Sequence, residues 1–115
     1  VQVSGYQIDR LRADGFVVST ATGSTGYALS AGGPIVNPDF KGLVCVPVAP
    51  HTIQARAFLT SSSDVVEIEM SRERFRAMTH ATIKRGPGDV LLLDYGPESF
   101  YNSVSRVFYG VRHDR

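Results

Sequence analysis

The stretch Asp14–Tyr27 reads Asp-Gly-Phe-Val-Val-Ser-Thr-Ala-Thr-Gly-Ser-Thr-Gly-Tyr. It joins an acidic turn, a buried strand over residues 16–19 and a hydroxyl-rich glycine loop that opens a helix. Small glycines between the hydroxyl residues let a ligand approach the backbone, where N–H groups at a helix start lack intrahelical partners. The hydroxyl residues are Thr20, Thr22, Ser24 and Thr25. This pattern is typical of one wall of a nucleotide-sized polar pocket.

A second interpretation of the loop needs no ligand. Serine and threonine cap helix starts and satisfy the same N–H groups by themselves. The loop alone leaves both interpretations open.

Composition limits the class of protein. The 115 residues are 43% hydrophobic, which predicts one globular domain over residues 1–115 with a single core. Twelve basic residues stand against 11 acidic ones, so we expect no nonspecific binding to nucleic acid or to an anionic membrane. The single cysteine, Cys45, lies in an apolar run and is expected in the core. No signal-like or membrane-spanning segment is indicated, and we expect a cytoplasmic protein.

Hydrophobic periodicity predicts a mainly β fold. A hairpin is expected from 1–3 and 6–12 around a Ser4-Gly5 turn. The other predicted strands are 16–19, 43–48, 65–70 and 90–93, with the segment 78–84 pairing with 90–93. A short helix over 26–31 should end at Gly32-Gly33-Pro34, and a helix over 99–109 should pack an apolar stripe.

A longer ordered pattern surrounds the loop. Gly23 to Pro34 reads Gly-Ser-Thr-Gly-Tyr-Ala-Leu-Ser-Ala-Gly-Gly-Pro, Ile35-Val36-Asn37-Pro38 follows, and Pro50-His51-Thr52 comes after an apolar strand. This order closely resembles the NAD kinase family over roughly Tyr6 to Met70. The resemblance implies a β-sandwich-like C-terminal domain of an NAD kinase, with a short helix after the Thr-Gly-Ser-Thr loop and a C-terminal helix. Because the chain opens at Val1 within an apparent strand, we expect a fragment of a longer protein.

The resemblance also implies an activity for the parent protein. NAD kinases transfer a phosphoryl group from ATP, and in some members from polyphosphate, to the 2′-hydroxyl of the adenosine ribose of NAD, giving NADP. A divalent metal such as Mg²⁺ assists. The family's Gly-Gly-Asp-Gly motif, which supplies the proposed general base, and its Asn-Glu or Asn-Asp motif belong to an N-terminal α/β domain and do not occur here. We therefore expect this chain alone to be inactive and assign no catalytic residue.

When the family's NAD-binding positions are matched one by one to this sequence, the resemblance implies a set of NAD-binding residues. Asp14 matches the acidic residue of the family's Gly-Asp-Gly corner beside the nicotinamide, often supplied by a neighbouring subunit. The segment with adenine and ribose contacts matches Thr22, Ser24, Thr25, Gly26, Tyr27 and Ser30. Gly26 stands where the family usually has alanine. The alternatives are an ordinary Asp-Gly turn for Asp14 and core packing against Leu29 or Phe16 for Tyr27.

Two further residues match the family's His-Thr-Leu-Ser-Ala-Arg-Pro stretch. For His51 a buried hydrogen bond that holds the loop is favoured over a catalytic role, and Arg56 is a structural or possible site residue. The other histidines, His80 and His113, show no metal-ligand spacing, so no metal site is expected. After Met70 the chain departs from the family, because a second Asp-Gly hairpin is missing.

The resemblance implies NAD or NADP as ligand, ATP bound through the missing domain, and a homodimer or homotetramer. Two other functions stay open. One is a dinucleotide-binding or sensing domain that transfers no phosphate. The other is a related kinase that acts on another nucleoside or a lipid alcohol.

Overall fold

A computed structural model of the chain describes residues 1–70, 80–91 and 100–110. The strands are β1 (Gln2–Val3), β2 (Tyr6–Gln7), β3 (Gly15–Ser19), β4 (Val44–Val48), β5 (Phe58–Leu59), β6 (Val65–Glu69) and β7 (His80–Lys84). The helices are a 3-10 turn (Thr22–Thr25), α1 (Tyr27–Ser30) and α2 (Phe100–Phe108). The mainly β prediction with a short helix after the loop and a C-terminal helix is confirmed.

Within these described residues the strands form two antiparallel sheets. One has the order β2-β1-β6-β7 and the other the order β3-β4-β5. The β1–β2 hairpin turns through Ser4 and Gly5, which both have positive φ, 47° and 86°. Two such residues form the tight turn whose twist matches antiparallel strands, so the predicted hairpin is confirmed.

Strand β4 carries the core on both of its faces. Side chains alternate along a strand, and every residue from Val44 to Pro47 is buried. Val44 and Val46 face one cluster that also holds Ala21, Ala28 and Val36. Cys45 faces a second cluster, with Leu43 and with Val66 from the other sheet. The apolar run therefore packs the loop and α1 on one side and the four-stranded sheet on the other.

The predicted pairing of 78–84 with 90–93 is not found at the described residues of that second segment. Strand β7 pairs with β6, in a register that places Ile83 opposite the fully buried Val66. Val90 and Leu91 are outside any strand and more than 85% exposed, while the rest of the predicted 90–93 strand lies outside the described residues. This register puts Ile83 beside Val66 on the same face of the sheet, where both pack into the cluster that holds Leu43 and Cys45.

Helix α2 forms where the periodicity predicted it, but its apolar stripe is not packed as expected. Val107 is 62% exposed and Phe108 is 43% exposed. The helix contacts the body of the domain through Tyr101, whose hydroxyl accepts a 2.8 Å hydrogen bond from Nδ2 of Asn37. No described helix is both long and apolar enough to cross a membrane.

Candidate functional site

The hydroxyl loop is built by its own hydrogen bonds. Strand β3 ends at Ser19, and Oγ1 of Thr20 then accepts a 3.2 Å hydrogen bond from the backbone N–H of Gly23. The N–H of Ser24 donates to the carbonyl of Ala21 at 3.2 Å, and that of Gly26 donates to Gly23 at 3.1 Å. These bonds close a 3-10 turn that leads directly into α1.

Ser24 points inward. Its side chain is fully buried, and its Oγ donates a 2.6 Å hydrogen bond to the carbonyl of Ala21. A buried hydroxyl needs such a partner, because leaving it unpaired costs about 1–3 kcal/mol. Ser24 therefore shapes the loop from inside and offers no surface to a ligand.

The remaining loop residues predicted to bind a ligand face solvent. They are Thr22, Thr25, Gly26, Tyr27 and Ser30. Tyr27 is 65% exposed, so the alternative of core packing is not adopted. The phenol ring offers a flat face and a polar tip to solvent.

Helix α1 packs into the core through Ala28, the residue that follows the exposed Tyr27. Ala28 is 1% exposed and belongs to the cluster around Val44 and Val46. Its carbonyl accepts a 2.8 Å hydrogen bond from the N–H of Gly33. A Cβ on Gly33 would lie 2.7 Å from that carbonyl oxygen and 2.8 Å from Cγ2 of Val46, so only glycine lets the chain pass here. The exposed loop residues thus stand on a closely packed base.

Asp14 lies at the opposite end of β3. Its N–H donates to the carbonyl of Val48 at 3.0 Å, and the N–H of His51 donates to the carbonyl of Arg12 at 2.8 Å. Nε2 of His51 is 3.8 Å from Oδ1 of Asp14, and the two side chains are 60% and 72% exposed. The predicted burial of His51 is wrong, because its backbone N–H holds the loop while the ring faces solvent.

Within one chain, Asp14 and the hydroxyl loop lie at opposite ends of β3. Six residue steps along β3 separate Asp14 from Thr20, and at about 3.3 Å per residue they span roughly 20 Å. The predicted set therefore divides into a loop surface and an Asp14–His51 corner.

Arg56 holds its own turn. Its guanidinium donates to the carbonyls of Ile53 and Ala55. It also lines an apolar cleft of about 330 Å³ with Phe16 and Phe58 among the walls. These contacts support the structural interpretation of Arg56.

Sequence reasoning missed a group of cations beside the loop. A cleft of about 580 Å³ runs from Thr20 and Thr22 to the turn after β7, and its walls carry Lys41, Lys84 and Arg85. The signal that could have found them is the Lys-Arg pair directly before Gly86-Pro87-Gly88. We call this the basic cleft.

The described part of the chain has no set of side chains that could bind a divalent metal. Across 1–70, 80–91 and 100–110, no three histidine, cysteine, aspartate or glutamate side chains gather in a way that could hold an ion. The Mg²⁺ that the family resemblance implies for the parent protein therefore finds no set of ligands among these residues.

Comparison with known proteins defines the class to which this fold belongs. The ATP-NAD kinase C-terminal domain family matches residues 1–101. The chain belongs to that family, as the resemblance predicted.

Individual relatives agree. The NAD kinase of Methanocorpusculum labreanum is 36% identical over 92% of this chain and 44% of its own length. That of Cupriavidus pinatubonensis is 51% identical over 64% of this chain and 24% of its own length. The chain thus spans less than half the length of these relatives.

Solved structures show the same fold. An NAD kinase from Archaeoglobus fulgidus in complex with ATP matches with a TM-score of 0.58 and 34% identity, over 79% of this chain and 34% of that one. Yeast NADH kinase complexed with NADH matches with a TM-score of 0.57 and 36% identity, over 58% of this chain and 20% of the other.

Proposed function

We propose that this chain is the NAD-binding C-terminal domain of an NAD kinase, which phosphorylates the adenosine-ribose 2′-hydroxyl of NAD with ATP or polyphosphate as donor. The observation that carries the proposal is that Tyr27 is exposed at the hydroxyl loop while Ala28, next to it in α1, is buried in the core. The chain also belongs to the family whose members are NAD kinases. The solved relatives in complex with NADH and with ATP support it.

In this proposal the loop holds the adenosine half of NAD. Tyr27 stacks on the adenine, and the hydroxyls of Thr22, Thr25 and Ser30 bind ring nitrogens or the ribose. Gly26 leaves room for close approach. Ser24 contributes indirectly, because its buried hydrogen bond to Ala21 fixes the shape of the loop.

Asp14 binds the nicotinamide half from a second copy of the chain. Its carboxylate is 72% exposed and can accept a hydrogen bond from the amide or the ribose. The roughly 20 Å of β3 between Asp14 and the loop favours contributions from two subunits over one. We therefore propose a homodimer or homotetramer with composite sites.

The chain's part in the reaction is positioning. Phosphoryl transfer needs the acceptor hydroxyl, the donor phosphate and a base in line, so most of the rate enhancement depends on holding them together. The loop would fix the adenosine ribose, and the base and donor would come from the missing domain. The isolated chain should bind NAD and transfer no phosphate.

Titration calorimetry with NAD tests this proposal. We expect saturable binding that Tyr27→Ala weakens about fivefold or more, since stacking on one base contributes about 1–3 kcal/mol. Tyr6→Ala is the matched control, because Tyr6 is 77% exposed on β2, away from the loop. Equal affinities of the Tyr27→Ala and Tyr6→Ala proteins would contradict the site.

A mixing experiment tests the two-subunit arrangement. Tyr27→Ala and Asp14→Asn should each weaken NAD binding, and mixed oligomers of the two should regain some high-affinity sites. In such oligomers, one site combines an intact Tyr27 with an intact Asp14 from the other copy. Failure of the mixture to regain affinity, with oligomers present by light scattering, would place both residues in one subunit's site.

A further inference from the structure

We propose that His51 is a further substrate-binding residue, which donates a hydrogen bond to the carbonyl of the nicotinamide carboxamide. In the same arrangement the carboxylate of Asp14 accepts a hydrogen bond from the amide N–H₂. The inference rests on the proposed function, because that function brings the nicotinamide half of NAD to Asp14. It gives a role to the exposed imidazole, which the proposed function leaves unused.

Backbone hydrogen bonds hold the two residues next to each other. At the end of the β3–β4 pairing, the N–H of Asp14 donates to the carbonyl of Val48 at 3.0 Å, and the N–H of His51 donates to that of Arg12 at 2.8 Å. Ala49 lies in the intervening turn with a φ of 47°. A residue with a Cβ rarely adopts this conformation, and such residues cluster at ligand sites. The backbone therefore fixes Asp14 and His51 independently of their side chains.

The structure of the described residues does not use either side chain. Nε2 of His51 lies 3.8 Å from Oδ1 of Asp14, which is longer than a hydrogen bond of about 2.7–3.2 Å. Neither the imidazole nor the carboxylate makes a hydrogen bond to another described residue. The two side chains are 60% and 72% exposed, and an exposed ion pair contributes little to stability. Both groups are thus available to a ligand.

The two side chains have opposite hydrogen-bonding roles. An ionised carboxylate only accepts, and an imidazole that carries its proton on Nε2 donates there, as it does in the cation and in one neutral tautomer. A primary carboxamide has the complementary pair, an N–H₂ donor and a carbonyl acceptor on one planar carbon. The amide therefore bridges the 3.8 Å gap, with its N–H₂ facing Asp14 and its carbonyl facing His51.

A ribose hydroxyl matches this pair less closely than an amide. Each hydroxyl can donate or accept, so it binds a carboxylate alone and does not require a donor beside it. An amide that met only Asp14 would leave its carbonyl without a protein partner, and a desolvated polar group without a partner weakens binding. The presence of both groups at the Asp14–His51 corner favours the amide over the ribose.

Titration calorimetry on the 115-residue chain tests the assignment with three ligands that share the adenosine half. They are NAD, its 3-acetylpyridine analogue, in which a methyl group replaces the amide N–H₂, and ADP-ribose, which lacks the pyridine ring. His51→Ala should weaken binding of NAD and of the acetyl analogue about two- to tenfold, the range expected for one hydrogen bond. It should leave the affinity for ADP-ribose unchanged.

Asp14→Asn separates the two halves of the amide. It should weaken the binding of NAD, because the N–H₂ loses a charged acceptor. It should leave the acetyl analogue unaffected, because that ligand offers no N–H₂ to the carboxylate. This difference assigns each residue to one atom of the ligand, which a purely structural role of the corner does not predict.

His51→Gln and His80→Ala are the controls. Glutamine keeps an N–H donor, so His51→Gln should retain more of the NAD affinity than His51→Ala. His80 is an exposed histidine on β7, and its replacement should leave all three affinities unchanged. Each variant at position 51 keeps the backbone N–H that bonds to Arg12, and thermal unfolding checks that the fold is kept.

The inference is overturned if the His51→Ala and His80→Ala proteins bind NAD equally. It is also overturned if His51→Ala weakens ADP-ribose as much as NAD, which would assign His51 to the ribose. NAD binding that depends on Tyr27 and not on His51 overturns this inference alone. Failure of the proposed function has a different signature, because then neither NAD nor ADP-ribose binds a folded chain, or Tyr27→Ala affects neither, and the role of His51 falls with it.

Discussion

Replacing Gly42 by alanine should destabilise the domain severely. A Cβ there would lie 1.8 Å from the carbonyl oxygen of Thr60 and 2.6 Å from Cζ of Phe40. The carbonyl cannot simply move away, because Thr60 is tied to Leu43 twice. Its N–H donates to the Leu43 carbonyl at 3.0 Å, and its Oγ1 accepts from the Leu43 N–H at 2.9 Å.

The size of the effect follows from this fixed neighbour. Adding a methyl group to a packed core typically costs about 1–3 kcal/mol, and a contact with pinned backbone places Gly42→Ala at about 3 kcal/mol. That is a large part of the roughly 5–15 kcal/mol that stabilises an ordinary domain. Urea unfolding followed by circular dichroism measures it.

Gly86→Ala is the matched control. A Cβ at Gly86 meets no atom of the described residues within 4 Å, so the same substitution should change stability by less than about 0.5–1 kcal/mol. Equal unfolding midpoints for the two variants would refute the close packing of the segment before β4 against Thr60.

Two other predictions concern the same core. Thr60→Val should lower the free energy of unfolding by about 1–3 kcal/mol, because the buried Leu43 N–H loses its acceptor. Thr52→Val, at an exposed threonine, should be neutral in the same urea titration, and equal losses would contradict the bond. Burial raises the pKa of the Cys45 thiol from 9.0 to about 11, so between these pH values the unfolded chain loses the thiol proton first. Stability should therefore fall as pH rises from 9 to 11, by up to about 1.4 kcal/mol per unit, and less steeply in Cys45→Ala. Parallel pH profiles of the two proteins would show that Cys45 titrates freely.

Local patterns predicted much of the fold. The continuous apolar run around Val44 indicated a strand buried on both faces, and the structure packs it between two clusters. Ser4-Gly5 fits a tight hairpin turn, and the spacing of Phe100 and Val104 fits a helix. Each of these features is determined by residues close to one another in the sequence, so a local pattern is enough to predict it.

Features set by distant residues were not predictable in the same way. The alternation in β7 suits either β6 or a later strand, and only the register with Val66 decides between them. The stripe on α2 predicted packing, yet Val107 stays exposed, since amphipathicity does not specify a partner.

The candidate site shows the same division. The loop follows from sequence order, whereas the sequence left core packing open for Tyr27 and only the structure shows that it is exposed. Ser24 and Thr25 carry the same chemical group, however, and only the 3-10 turn buries one and exposes the other. Lys41 and Lys84 are far apart in sequence, so their common cleft appears only after folding.

Amide chemical shifts of the ¹⁵N-labelled chain, recorded while NAD is added, test the central claim most directly. The account predicts that the largest saturable shifts fall on Thr22, Thr25, Tyr27 and Ser30, and that Tyr27→Ala moves the titration midpoint to a higher NAD concentration. Shifts confined to residues away from the loop, or none in a folded chain at saturating NAD, would contradict a dinucleotide site on this domain.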